Sequence, residues 1–209
     1  MTTSTSETET LLVPLEQYLA AGVHIGTKFR TAHMSKYVYK VNPNGLCVLN
    51  VQEIDRRLRM AAKILSKFNP EDFVIVCRRE NGWKAVKAFS RVLGVEKVFA
   101  GRYPAGIITN SNLNTYFEPK VMLVIDPIPD KNAVHDALIS GVTTVALCDS
   151  NNTTESIDFC LPCNNKGSKS IGLIMWILAS NYLQERGLLP RGKALDTPLE
   201  DFTAETVTA

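Results

Sequence analysis

Three uninterrupted apolar runs constrain the fold of this 209-residue chain more than any other feature. They are 73–77 (FVIVC), 121–125 (VMLVI) and the last four residues of a predicted strand at 144–148 (TVALC), and each is followed by a polar or helix-forming stretch. A strand that is apolar at every position lacks the alternation of a sheet with one solvated face, so it is typical of a parallel strand covered on both sides. The chain therefore predicts an α/β fold with a parallel sheet and helices on both faces.

Helical and strand patterns fill the intervals between these runs. Helices are predicted over 51–68, 81–93, 133–140 and 169–186, and shorter strands over 97–100 and 157–161. The last helix is mostly apolar, so we expect it to be largely buried. Ahead of this core, the pattern predicts a short helix between Pro14 and Gly22 and a hairpin of strands 37–41 and 46–50 around an Asn-Pro-Asn-Gly turn.

The two ends differ in composition from the rest of the chain. Residues 1–10 are almost entirely Ser, Thr and Glu, and residues 194–209 contain four acids and no base. Such segments cannot bury enough apolar surface to fold. We therefore expect one α/β domain over 11–193, a flexible tail over 1–10 and an acidic flexible tail over 194–209.

The length of the apolar runs, the composition of the first residues and the cysteine usage together predict a soluble cytoplasmic protein. The longest apolar run, 171–179, is about half of the roughly 20 residues that a bilayer span needs, and the first residues lack the basic and apolar regions of a secretory signal. The five cysteines are an odd number and fit a reducing compartment. The Cys160–Cys163 pair has no second pair at zinc-binding spacing, so buried structural thiols are favoured over a metal or redox site.

The modest net charge of +2 conceals a strong segregation of charge. Residues 1–20 carry −3, and residues 103–209 carry 7 bases against 12 acids. From Lys28 to Arg102 there are 16 Lys or Arg and 6 Asp or Glu, a net charge of +10. A basic half of this strength indicates a polyanionic partner.

The bases of this half are also patterned. They recur at three- and four-residue steps on the predicted helices 51–68 and 81–93, and they alternate with aromatic residues between positions 28 and 40. A solvated face explains either helix taken alone. Loops, hairpin and two helices that share one sign of charge are better explained by neutralised phosphates. Aromatic residues between the lysines and arginines favour structured RNA as the partner, because unstacked nucleobases can pack on aromatic rings.

A nucleotide- or phosphate-binding enzyme is the alternative, because ligands of open α/β sheets gather beyond the carboxyl ends of the strands. Polar residues follow three strands here: Asp126, Asp149 and the segment 161–168. However, the chain contains neither a GxGxxG nor a GxxxxGK[ST] loop, and turn chemistry alone accounts for the two aspartates. NNKGSKS (164–170) precedes a long helix and could cradle a phosphate or merely cap the helix.

Several long strings resemble the universal small-subunit ribosomal protein S2 family in its archaeal and eukaryotic branch. They are LAAGVHIGTK (19–28), NGLCVLNVQEIDRRL (44–58), VFAGRYPAGIITN (98–110), VIDP (124–127), VALCDSNN (145–152) and LPCNNKGSKSIGLIMWILA (161–179). The resemblance implies a flavodoxin-like three-layer α/β/α sandwich with a doubly wound, mostly parallel sheet. It also implies a structural constituent of the ribosome that binds rRNA and neighbouring small-subunit proteins near the mRNA exit.

The chain departs from the family in three places. Only nine residues, 111–119, occupy the interval where bacterial members carry a long helical hairpin, so we expect no such insertion. The family's Arg-aromatic-x-Pro-Gly loop is replaced by Arg-Tyr-Pro-Ala-Gly at 102–106. A short acidic end stands where eukaryotic members have a long Trp-containing tail, and together with the missing insertion it favours an archaeal source.

Fifteen residues are predicted to contact RNA, the cations through phosphates and the two glycines by allowing close approach. They are Gly22, Gly26, Lys28, Arg30, Lys36, Arg56, Arg59, Lys63, Arg78, Arg79, Lys84, Arg91, Arg102, Lys166 and Lys169. No catalytic residue, cofactor, metal, membrane partner or small-molecule substrate is predicted, because no histidine follows a strand and no GxSxG or HExxH occurs.

Overall fold

A five-stranded parallel sheet forms the centre of the computed structural model, which describes residues 11–190, 192–193 and 195–203. The described residues form seven strands: β1 (Val38–Val41), β2 (Cys47–Leu49), β3 (Phe73–Cys77), β4 (Val98–Ala100), β5 (Val121–Val124), β6 (Thr143–Cys148) and β7 (Phe159–Pro162). The central sheet has the order β4-β3-β5-β6-β7. Every residue of β3 and β5 is buried, as are residues 144–148 of β6, which confirms the interpretation of the apolar runs.

The helices form layers on both faces of this sheet. They are α1 (Leu15–Ala21), α2 (Val51–Leu65), α3 (Glu80–Leu93), α4 (Lys131–Ser140) and α5 (Ser168–Glu185). The connection through α3 leads to one edge of the sheet and that through α4 leads to the other, so right-handed crossovers place these helices on opposite faces. α2 and α3 both pack against α5. The strand order is that of flavodoxin, and the predicted doubly wound three-layer sandwich is confirmed.

Helix α2 ends at Leu65, three residues before the predicted end. Asn69 precedes Pro70 and is extended, with φ −80° and ψ 154°. Proline excludes the helical conformation from the residue before it, so the chain must leave the helix within the short interval before Asn69. The apolar periodicity continues to Phe68, which packs against the core without being helical.

Helix α5 is buried along most of its length, as predicted. One of its faces is covered by the described residues 195–203 at the end of the chain. A Cβ on Gly172 would lie 2.7 Å from Cγ2 of Thr203 and 2.8 Å from the carbonyl oxygen of Phe202. The missing side chain at Gly172 therefore lets this segment, which we call the C-terminal strap (195–203), lie directly on the helix.

The C-terminal strap departs from the predicted acidic tail over 194–209. Phe202 is 1% exposed and Leu195 is buried as well. The indole Nε1 of Trp176 donates to the carbonyl of Thr197 at 3.0 Å, and the amine of Lys84 donates to the carbonyl of Glu200 at 2.9 Å. Two buried apolar side chains thus hold the strap despite its acidic composition. The predicted tail over 1–10 and the last residues, 204–209, lie outside the described part of the chain.

The amino-terminal segment is tied to the core through one buried carboxylate. Asp55 of α2, 3% exposed, accepts the Leu12 N–H at 2.8 Å, the Tyr18 hydroxyl at 2.9 Å and Arg59 Nε at 3.0 Å. Burial, followed by the charge of Asp55, raises the pKa of Tyr18. The predicted hairpin is confirmed as the antiparallel pair β1–β2.

All five cysteines are buried and free, as the interpretation as structural thiols predicts. Burial raises the pKa of Cys77 to about 12 and holds that of Cys163 well above its ordinary value, so these thiols stay protonated and unreactive. Within the described residues, no cluster of three or more His, Cys, Asp or Glu side chains is placed to hold a metal. None of the described helices is long and apolar enough to cross a membrane.

Candidate nucleic-acid interface

The polar residues that follow the strands meet at one edge of the sheet, because all five strands run parallel. We call this edge the carboxyl edge and the opposite one the amino edge. The carboxyl edge comprises the segments 78–79, 101–103, 125–130, 149–152 and 163–169. In nucleotide-binding relatives of this architecture the ligand lies here, so its occupancy decides between the two functional hypotheses.

The centre of the carboxyl edge is an ion pair between the ends of β3 and β5. Asp126 is 1% exposed, and its Oδ2 accepts Nε of Arg79 at 2.6 Å. Its Oδ1 accepts Nδ2 of Asn152 at 3.1 Å and the N–H of Ile128 at 3.0 Å. Both carboxylate oxygens are therefore used inside the protein.

A second ion pair joins the ends of β6 and β7. The amine of Lys166 donates to Oδ2 of Asp149 at 2.8 Å and to Oδ1 of Asn151 at 3.1 Å. Asp149 is 1% exposed. Asn165, fully buried, donates to the carbonyl of Leu147 at 3.0 Å and fixes the chain after β7 to β6. The amine of Lys166 thus neutralises an internal carboxylate.

The segment 24–31 covers this network from outside and is held by Ser150. The Ser150 Oγ lies 2.9 Å from the Thr27 N–H that donates to it, and it donates to the carbonyl of Phe29 at 2.9 Å. Thr31 donates its N–H to the carbonyl of Ser150 at 3.0 Å and its hydroxyl to that of Asn152 at 2.7 Å. The chain's own backbone therefore covers the end of β6. The Arg79–Asp126 ion pair spans the ends of β3 and β5, the switch point where a ligand of a flavodoxin-like enzyme would lie.

Gly26 is buried at this contact, which is incompatible with the predicted approach to RNA. A Cβ at this position would lie 3.0 Å from Ser150 Oγ, 3.1 Å from the Cys47 carbonyl and 3.2 Å from Asp149 Oδ1. The glycine does serve a close approach, as the sequence indicates, but the approaching atoms belong to the protein. Gly22 is half-buried and ends α1 with φ 68°.

We expect Gly26→Ala to destabilise the protein by about 1–3 kcal/mol, the ordinary cost of forcing a methyl group into a packed site. Urea unfolding would measure the change. Gly167→Ala is the matched control, because its Cβ would meet nothing closer than Asn164 Nδ2 at 3.4 Å. Equal effects of the two substitutions would contradict the close packing of the segment 24–31 on Ser150.

Asp130, at the carboxyl edge, has a carboxyl pKa above its ordinary value. Burial raises its pKa to about 6, although the Arg78 N–H donates to its Oδ2 at 3.0 Å. Its other oxygen has no partner among the described residues. A raised carboxyl pKa can mark a catalytic acid. Here burial also raises the pKa of the neighbouring Cys77 thiol, and the strand-end carboxylates Asp126 and Asp149 are already paired.

Four of the predicted RNA-contacting cations form ion pairs with acids of the same chain. Arg79 and Lys166 neutralise the buried strand-end carboxylates. On α2, Arg59 bonds Asp55 and Arg56 pairs with Glu53 at 2.6 Å. Lys84, at the start of α3, is exposed but donates to the C-terminal strap.

Five predicted cations are exposed and lie together along the carboxyl edge. The contacts of Ser150 hold the segment that carries two of them on this edge, and Nδ2 of Asn81 donates to the Lys166 carbonyl at 2.9 Å, which joins the starts of α3 and α5 there. We call the set the edge cations: Lys28, Arg30, Arg78, Arg102 and Lys169.

The remaining predicted contacts lie elsewhere. Lys63 and Arg91 are in the last turns of α2 and α3, and these helices end near the amino edge because each leads into the start of a strand. Lys36 precedes β1, with its amine 5.1 Å from the centre of the Tyr37 ring. The structure thus divides the predicted cations among two edges and the hairpin.

One structural cation escaped the sequence analysis. The guanidinium of Arg57 lies 5.2 Å from the ring centre of Tyr37 and 5.1 Å from that of Phe159, at the distance of cation–π contacts. It joins α2, the segment before β1 and the edge strand β7. The apolar residues on either side of Arg57 in the helix pattern are the only available signal, and they do not reveal which rings it meets.

Comparison with known proteins identifies the family of the chain. The profile of the family described as ribosomal protein S2 matches residues 113–184. The chain is 49% identical to small ribosomal subunit protein uS2 of Nanoarchaeum equitans over 91% of its own length and 94% of the relative's. It is 46% identical to the protein of that name from Staphylothermus marinus over 96% and 90% of the two chains.

The protein of the same name from Saccharolobus solfataricus is 43% identical over 94% of this chain and 85% of its own. All three relatives are archaeal, and the matches run through the strand-end segments and the segment 24–31 alike. On this evidence the chain belongs to the archaeal branch of the ribosomal protein S2 family.

Proposed function

We propose that this protein is a structural constituent of the small ribosomal subunit in the cytoplasm and that it binds rRNA phosphates with its edge cations. The observation that carries the proposal is the sorting of charge at the carboxyl edge. The carboxylates of Asp126 and Asp149 are buried and neutralised, whereas the edge cations are exposed. The outward charge of this edge is therefore positive, as phosphate binding requires.

We propose further that the protein is not an enzyme and uses no cofactor or small-molecule substrate. The support is the occupation of the strand-end crevice by Arg79, Lys166 and the segment 24–31. The ion pairs Arg79–Asp126 and Lys166–Asp149 already engage the charged groups with which a nucleotide would interact at this edge. A phosphate-binding enzyme remains the competing function, and it would require turnover by the purified protein.

We propose other small-subunit proteins as partners on the side of the protein that carries α4. The mRNA exit is proposed to lie nearby, as the family resemblance implies. Helix α4 exposes Leu138 and Ile139, by 57% and 64%, in the acidic part of the chain. Exposed apolar side chains suit a protein neighbour better than RNA, and the net negative charge of residues 103–209 favours a basic one. No membrane partner is proposed.

Gradient sedimentation of a cell lysate tests membership of the ribosome. We expect the protein to co-migrate with small subunits in a one-to-one ratio and to leave that fraction when ribonuclease is added. Protein that stays at the top of the gradient would favour the enzyme. A complex that survives ribonuclease would favour a free-standing adaptor.

Salt dependence tests the edge cations directly. The affinity of the isolated protein for small-subunit rRNA should fall steeply with salt, because bound phosphates release counterions. For Lys28→Ala/Arg30→Ala, we expect the slope of log K against log salt to become shallower by about 1.5–2, since two phosphate contacts are lost. Fluorescence anisotropy of labelled rRNA at salt concentrations from about 50 to 300 mM measures this slope.

The matched control removes the same charge at the amino edge. Lys63→Ala/Arg91→Ala changes the net charge equally but should leave the slope within error. If both double variants flatten the slope equally, binding depends on total charge rather than on the carboxyl edge. If neither does, the edge cations do not contact phosphates.

A further inference from the structure

The two most exposed large apolar side chains are both aromatic and both lie in the basic amino-terminal segment. Phe29 is 79% exposed and Tyr39 is 72% exposed. Tyr37, two residues before Tyr39, is only 3% exposed and lies against the guanidinium of Arg57. Exposure is therefore a property of particular rings in this segment and not of the whole segment.

Phe29 differs from Tyr39 in what holds its backbone. The carbonyl of Phe29 accepts the hydroxyl of Thr27 at 3.0 Å and that of Ser150 at 2.9 Å. On its other side, Thr31 bonds the carbonyls of Ser150 and Asn152. The ring thus projects from a backbone that is fixed to the end of β6, so little conformational freedom would be lost when a ligand packs against it.

Leaving this ring in water forfeits the free energy that burial would supply, of about 1.5–3 kcal/mol for a phenylalanine. The ring does not contribute to packing within the described chain, since Phe29 is absent from the core and from the ring pairs of the described residues. A fixed and exposed ring of this kind is suited to pack against something outside the chain.

The surrounding charges identify the class of partner. Phe29 lies between Lys28 and Arg30, both exposed, and no acid occurs anywhere from residue 17 to residue 52. An apolar protein anchor needs the ring but gains nothing from the adjacent cations. A single-stranded nucleic acid uses both, because its nucleobases stack on aromatic rings while its phosphates bind the adjacent lysine and arginine side chains.

We propose that Phe29 is a stacking platform for an unpaired base of rRNA, with Lys28 and Arg30 binding the flanking phosphates. The inference rests on the proposed rRNA binding and adds the mode of recognition: bases of a single-stranded segment instead of the backbone of a duplex. Stacking accepts any base, so the platform selects unpaired structure and carries no sequence preference.

The test uses the full chain and three labelled RNAs: small-subunit rRNA, a twelve-nucleotide oligoadenylate and the same oligomer without bases. We expect Phe29→Ala to weaken binding of the oligoadenylate by about 5- to 150-fold, the loss expected for one stacked base. Binding of the abasic oligomer should not change. Phe29→Trp should retain the affinity within about threefold, and its indole emission should be quenched when the oligoadenylate binds.

Two controls separate this proposal from the phosphate contacts. Leu188→Ala removes another side chain that is 69% exposed, beyond the end of α5, and should leave all three affinities unchanged. Lys28→Ala/Arg30→Ala should weaken both oligomers equally. Because Phe29 is exposed, the urea midpoint of Phe29→Ala should match that of the unaltered chain.

Three results would overturn the stacking role. The unaltered chain could fail to bind the oligoadenylate, Phe29→Ala could bind it as tightly as the unaltered chain, or Phe29→Ala could lose incorporation into small subunits while keeping its RNA affinity. Steep salt dependence on rRNA would persist in each case and leave the phosphate proposal standing. Absence of rRNA binding by the unaltered chain would overturn both.

Discussion

Arg79→Ala is expected to lower the free energy of unfolding by about 3–5 kcal/mol, the cost of leaving a buried carboxylate without its cation. Asp126 is 1% exposed and would keep only the N–H groups of Asn152 and Ile128 as partners. Asp130 has its own raised pKa partly because of the charge on Asp126, so the uncompensated carboxylate would also lie near a second acid. Urea unfolding at neutral pH measures the loss.

Its neighbour supplies the control for this substitution. Arg78 is exposed, and its side chain makes one long hydrogen bond, 3.4 Å, to the Pro129 carbonyl. We expect Arg78→Ala to change stability by less than about 1 kcal/mol, as surface substitutions do, and to weaken rRNA binding. Arg79→Ala/Asp126→Asn should recover more than half of the loss, because the buried charge is then gone. Similar losses for Arg78→Ala and Arg79→Ala would refute the distinction between the two arginines.

Phe202→Ala is expected to destabilise the protein by about 3–5 kcal/mol, the usual cost of removing a buried aromatic side chain. Phe202 is 1% exposed and lies where Gly172 brings α5 against the C-terminal strap. Loss of the ring should also release the bonds from Trp176 and Lys84 to the strap. The urea midpoint and the near-ultraviolet circular dichroism of Trp176 would report both effects.

Phe202→Leu separates packing from a general intolerance at this position. It keeps most of the apolar volume, and we expect it to cost less than half as much as the alanine variant. A Phe202→Ala protein that unfolds at the same urea concentration as the unaltered chain would mean that residues 195–203 do not pack on α5 in solution.

The central sheet could be predicted because its physics is local. A run such as FVIVC at 73–77 is short, rich in β-branched residues and apolar at every position, which favours a covered strand over a buried helix. The strands and helices lie within a few residues of their predicted bounds. The C-terminal strap could not be predicted. Its composition is that of a solvated tail, and its stability comes from a groove at Gly172 that exists only in the folded protein.

The sequence predicts the sign of the charge on the proposed interface but not which residues form it. The net charge of +10 between Lys28 and Arg102 correctly identifies the basic half. Sequence cannot separate Arg78 from Arg79, because the distinction depends on which side of the chain faces Asp126 as β3 ends. The same holds for Gly26, whose role depends on Ser150, more than 120 positions away.

The hydrogen bonds between the segment 24–31 and Ser150 also determine when, during synthesis of the chain, this segment can adopt its folded conformation. Thr27 and its partner are separated by 123 positions in the chain. The amino-terminal residues leave the translating ribosome early, but the groups that shape them emerge only after β6 has been made. A nascent or truncated chain ending before residue 150 would therefore carry the positive charge of the segment 24–31 without the contacts that fix its backbone.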